Sequence, residues 1–137
     1  MKISAPQAKL AGCVWVARIM DRARALRAGT LPGPYAARFC KPDSVDGLFL
    51  AHFSLTKEQV LGAADQGDAG VRRWFKGLPG VNPRSIRDWN RIAVNLGRPG
   101  FPMADRLQGA LEGKYRRAAA TRPRTIFQML NADEKSR

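Results

Sequence analysis

Placed at 100° per residue, Gly12, Trp15, Val16, Ile19, Met20, Ala23 and Leu26 share one broad apolar face, which Cys13 and Ala17 widen. Only a narrow stripe of Arg18, Asp21, Arg22 and Ala25 is polar. With Pro6 at a first turn and Gly29 just past an end, the pattern predicts one helix from about Pro6 to Ala28. A helix apolar over so much of its circumference serves as a central element around which others pack.

Shorter helical periods follow. Val45, Leu48, Phe49 and Phe53 predict a helix that starts near Asp43 or Ser44. Thr56-Lys57-Glu58-Gln59 has the form of a capping box and opens a helix through Val60, Leu61 and Ala64. Asp68 is the expected N-cap of a third helix, which carries Val71, Trp74 and Phe75 and stops at Gly77. Asn82-Pro83 then starts a helix from Pro83 to Leu96, with Ile86, Trp89, Ala93 and Leu96 three and four residues apart. A further helix from Pro102 carries Met103, Leu107, Leu111 and Tyr115, and Thr125 to Leu130 forms a short helical turn in preference to a docking strand. Gly/Pro clusters at 29–34, 77–83 and 97–102 separate these stretches. No internal repeat stands out, and no alternating run is long enough for a strand. The expected architecture is all-α: a compact bundle of five to seven short helices around the N-terminal one. It forms a single domain over residues 1–137, with a basic segment at 114–124 and a C-terminus open to fraying.

Charge changes the picture. Lys and Arg number 24 against 11 Asp and Glu, a net charge of +13. The stretch from Arg72 to Arg124 holds 13 basic residues and three acids, Asp88, Asp105 and Glu112. Such a density is the electrostatic footprint of a protein that meets a polyanion, most commonly nucleic acid. Within it, Arg84, Arg87 and Arg91 stand at i, i+3 and i+7 on the helix whose other face carries Ile86, Trp89 and Leu96. That ridge could track phosphates through bidentate guanidinium contacts, although Asp88 beside it equally fits a plain solvated face. The segment Lys114 to Arg124 has five positive charges in eleven residues and no acid: Lys114, Arg116, Arg117, Arg122 and Arg124. It reads as a polyanion patch, the plainer alternative being a flexible basic loop without a partner. Trp15, Trp74 and Trp89 lie on apolar faces and are expected in the core, which leaves Tyr115 as the aromatic to consider for stacking. The signal favours backbone contacts over base readout.

Catalytic and metal chemistry find little support. Cys13, Cys40 and the single histidine, His52, cannot supply four zinc ligands, and neither a metal nor a cofactor is expected. Two buried free thiols in a reducing cytoplasm are expected in preference to a disulfide. Leu10-Ala11-Gly12-Cys13 resembles a lipoprotein cleavage box, but the residues before it include two lysines and a proline in place of an apolar run. A cytoplasmic protein with no membrane span is the expectation. His52 at an apolar helix is expected to be structural, and the three glutamates are widely separated. Asp21, within helical reach of Arg18 and Arg24, is the acid that could anchor a polar ligand if a pocket opens beside it.

The string Trp15-Val-Ala-Arg18-Ile-Met-Asp21-Arg22-Ala23-Arg24-Ala25, followed by Gly29-Thr30, resembles an uncharacterised bacterial family of small proteins, a domain of unknown function. Tyr35, Trp89-Asn90, Phe127 and Asp133-Glu134 resemble its later signatures. The resemblance implies a helical fold and a cytoplasmic bacterial protein, and it implies no activity. Two functional expectations result. One is a polyanion-binding, non-enzymatic protein that uses Arg84, Arg87, Arg91, Lys114, Arg116, Arg117, Arg122 and Arg124. The other is a small-molecule or protein-partner module organised around Arg18, Asp21, Arg24 and Asn90.

Overall fold

The computed structural model describes residues 2–135, so the last two residues of the C-terminus expected to fray lie outside the described residues. The chain forms two compact units, Met1–Trp89 and Asn90–Arg137. It is mostly helical, with eight α-helices and one 3-10 helix among the described residues. That is more than the five to seven expected, and two short elements, described below, account for the excess.

The first unit departs from expectation at its start. Residues 6–15 are not helical: β1 (Lys9–Leu10) pairs antiparallel with β2 (Cys13–Val14), Leu10 opposite Cys13. Ala11 at φ 57° and Gly12 at φ 74° make the two-residue connection, both left-handed as a type I′ turn demands. The apolar run Leu10 to Val16 concealed this, because a short buried strand and a buried helix segment cannot be told apart by periodicity. Trp15, left-handed at φ 77°, leads into α1 (Val16–Arg27). The helix stops at a Schellman motif around Gly29, where Thr30 N–H donates to Ala25 O at 2.9 Å and Gly29 N–H to Leu26 O at 3.1 Å. Val16, Ile19, Met20 and Ala23 are buried as the pattern predicts. Arg18 and Arg22, expected on a solvated stripe, are buried with them.

α2 (Gly33–Arg38) was not expected; it buries no residue, so it offers no apolar face to read. α3 (Val45–Phe53) starts where Ser44 Oγ accepts from Gly47 N–H at 3.3 Å. α4 (Lys57–Ala63) packs against α1 and carries the capping box, Gln59 N–H to Thr56 Oγ1 at 3.2 Å and Thr56 N–H to Gln59 Oε1 at 2.8 Å. α5 (Asp68–Lys76) takes Gly67 as N-cap and holds Asp68 in its first turn, where the helix dipole favours a carboxylate. α6 (Pro83–Val94) opens on Asn82, whose Oδ1 accepts from Ser85 N–H at 2.9 Å. Phe49 packs edge-on to Phe53 and Trp89, at 5.2 and 5.5 Å between centroids, and Phe75 lies 5.2 Å from Phe53. Trp89 Nε1 donates to Val14 O at 3.1 Å, which ties this aromatic core to β2.

In the second unit, α7 (Ala104–Glu112) ends before Tyr115. A 3-10 helix (Arg116–Thr121) and α8 (Ile126–Lys135) follow, and α7 and α8 both pack on the 3-10 helix. The helical turn expected at Thr125 to Leu130 is thus part of a longer helix. Ile126 N–H donates to Leu96 O at 2.8 Å, and Leu107, Ala118, Ile126, Phe127 and Met129 are buried.

Candidate functional site

All eight basic side chains proposed to meet a polyanion are exposed: Arg84, Arg87, Arg91, Lys114, Arg116, Arg117, Arg122 and Arg124. Local geometry explains the C-terminal set. A 3-10 helix has three residues per turn, so Arg116 and Ala119 align on one edge and Arg117 with Ala120 on a second. The third edge carries Ala118, fully buried, and Thr121, which is exposed. The Ala118 methyl is buried while Arg116 and Arg117 are exposed, and within the basic segment residues 116–121 take a 3-10 helix. Arg122, left-handed at φ 51°, ends the helix, and Arg124 N–H donates to Gln128 Oε1 at 2.7 Å. Lys114 Nζ stands 5.5 Å from the Tyr115 ring centroid and the Arg91 guanidinium 6.0 Å from that of Phe101.

The second set behaves differently. Arg18, only 2% exposed, donates from Nη1 to Ser4 O at 3.1 Å. Ser4 in turn donates to Asp21 Oδ2 through its backbone N–H, at 2.8 Å, and through its hydroxyl. Arg24 joins Asp21 at 3.5 Å and also reaches Ala64 O at 3.2 Å, Gln66 O at 2.9 Å and Asp68 at 3.3 Å. Arg18, Asp21 and Arg24 are therefore brought together through Ser4 and the α4–α5 connection. Asn90 belongs to the second unit.

A polar centre that the sequence did not disclose sits beneath them. Asp46, 1% exposed in the first turn of α3, accepts from Trp15 Nε1 at 2.8 Å, from Cys40 N–H at 2.8 Å and from the Arg22 guanidinium. Arg22 also lies over the rings of Trp15 and Phe39, at 5.4 and 5.7 Å. No signal could have found Asp46, because a carboxylate in a first helical turn reads as an exposed dipole partner. Burial pushes the Cys13 thiol up to about 12, and burial together with the Asp46 carboxylate does the same for Cys40. Both thiols are free, and both are held protonated near neutral pH, which removes them as nucleophiles. His52 Nε2 donates to Ser85 O at 2.8 Å and its ring lies against Phe53 and Trp89, a structural placement. Among the described residues no cluster of three metal-ligating side chains forms, and no helix is long and apolar enough to cross a membrane.

A family model described as a domain of unknown function, DUF5069, matches residues 2–136. The chain belongs to DUF5069. No curated protein and no solved structure matches it. The DUF5069 match spans both units, and it includes the buried arginines of α1 as well as the exposed ones of the 3-10 helix.

Proposed function

We propose that this DUF5069 protein binds a polyanion, nucleic acid, through Arg84, Arg87, Arg91, Lys114, Arg116, Arg117, Arg122 and Arg124. The observation that carries the reading is the exposure of all eight, set against the burial of Arg18 and Arg22 in the same chain. Exposed like charges at this density repel one another, and a phosphate polymer relieves the repulsion while releasing its own counterions. Guanidinium groups outnumber the single ammonium seven to one here, which suits bidentate phosphate contact. Fluorescence anisotropy of short labelled DNA and RNA across a salt series tests the proposal. Affinity should fall steeply as salt rises, and absence of binding at low salt refutes it.

A second reading, a small-molecule or protein-partner module at Arg18, Asp21, Arg24 and Asn90, draws support from the partial exposure of Asp21 and Arg24, 24% and 31% at their side chains. It requires that Asp21→Asn weaken the binding of that partner without changing the nucleic-acid titration.

A further inference from the structure

We infer that the nucleic acid is held by its phosphodiester backbone alone, so that the bases are dispensable for affinity. The inference rests on the proposed function and deepens it. Binding of single strands through bases needs an accessible aromatic face beside the cations. The second unit has three aromatic residues, Phe101, Tyr115 and Phe127. Phe127 is buried. Phe101 and Tyr115 are half-buried, and each already has a cation at its ring, Arg91 at 6.0 Å and Lys114 at 5.5 Å. Those cations come from the proposed binding set itself. One electron-rich face of each half-buried ring is thus turned to a charge that would receive phosphate. Tyr115, the stacking candidate by sequence, becomes a support for Lys114.

The two outward edges of the 3-10 helix extend the argument. Between Arg116 and Arg122 the helix presents Arg117, Ala119, Ala120 and Thr121, all exposed, and the Thr121 hydroxyl already donates to Ala118 O at 2.7 Å. Alanine methyls have neither donors nor acceptors for base edges. They do allow a phosphate chain to approach the helix closely, with arginines on either side.

Around Arg84 and Arg87 the picture is the same, since Trp89 on their helix is buried and bonded to Val14 O. The competing platform is Trp74 on α5, half-buried and flanked by exposed Arg72, Arg73 and Lys76. The experiment therefore includes it. Three labelled phosphodiester oligomers of equal length, about 16 units, are titrated at low salt and across a salt series: oligo-dT, oligo-dA and a fully abasic strand. The three should bind within about threefold of one another and with the same salt slope, because each presents the same phosphates. Trp74→Leu should leave all three affinities within about twofold, since a lost stack weakens binding by about fivefold or more per base. A loss of tenfold or more on the abasic strand, or on dT with Trp74→Leu, overturns the inference and leaves the proposed function standing. Failure of every oligomer to bind overturns both.

Discussion

Arg18 and Arg22 on α1 and Arg116 and Arg117 on the 3-10 helix both sit in helical segments that combine arginine with alanine. Their fates are opposite. The α1 pair is internal, at 2% and 6% exposure, while the 3-10 pair faces outward. What separates them is the supply of acceptors from other parts of the chain. Arg22 finds the Asp46 carboxylate and the ring faces of Trp15 and Phe39, and Arg18 finds the Ser4 carbonyl. A guanidinium leaves water only where such partners are fixed in place, because an isolated buried charge costs far more than packing returns. Arg116 and Arg117 flank a buried alanine, whose methyl offers no acceptor, and both are exposed. The comparison teaches that a basic helical stripe is a surface feature until an acceptor distant in sequence, a carboxylate or a carbonyl, claims it.

The largest effect should come from removing that carboxylate. Asp46→Ala strips Arg22 of its counterion and leaves Trp15 Nε1–H and Cys40 N–H without an acceptor. Losing one partner of a buried pair destabilises by about 3–5 kcal/mol, and the two orphaned donors add to it. Urea denaturation of wild type and variant measures this directly. A loss below about 1 kcal/mol would mean that the stacking on Trp15 and Phe39, rather than the ion pair, holds Arg22 inside.

The opposite pole is reached by replacing Arg116, Arg117, Arg122 and Arg124 together with alanine. Stability should change by no more than about 0.5 kcal/mol per site, as for surface positions without buried partners. Polyanion binding should weaken strongly, and the slope of log affinity against log salt on duplex DNA should fall by about 3 to 4 if each arginine neutralises one phosphate. An unchanged slope with an unfolded variant would reverse the assignment, making these arginines structural like those of α1.

The same contrast explains what could be read in advance. Ser44, Thr56 with Gln59, and Asn82 with Pro83 announced α3, α4 and α6, since a cap works through bonds reaching only three residues along the chain. Exposure of the Lys114–Arg124 cations was legible for a similar reason: no acid within the segment competes for them. The hairpin at Leu10 to Val14 was hidden inside a continuous apolar run, and α2 has no buried face to generate a period. Burial of Arg22 depends on Asp46, 24 residues away, through a contact that no local spacing encodes. Local chemistry could be read from the sequence, and chemistry assembled by tertiary packing could not.

The buried side of the comparison also predicts a response to pH. Cys13 and Cys40 have thiols raised to about 12 from an ordinary 9.0. Between those values the folded chain keeps protons that the unfolded chain releases, so stability present below pH 9 should be lost as pH climbs toward 12. Urea melts across that range should decline more steeply for wild type than for Cys13→Ala/Cys40→Ala. Equal declines would show that these thiols ionise as readily in the folded chain as in the unfolded one.

The smallest effect sharpens the comparison most, because it holds the chemistry constant and changes only the surroundings. Arg27, on the same α1 helix as Arg22, pairs with Asp65 at 3.1 Å, but the side chains are 46% and 66% exposed. Solvent screens such a pair, and its geometry is bought with side-chain entropy. Asp65→Asn should therefore cost less than about 0.5 kcal/mol and, unlike Asp46→Ala, lose even that at high salt. Arg27 retains a hydrogen bond to Leu61 O at 2.8 Å, so it has no need to move when Asp65 is neutralised. If Asp65→Asn instead destabilised the fold as much as Asp46→Ala, burial would not be what distinguishes the Arg27–Asp65 pair from the Arg22–Asp46 pair.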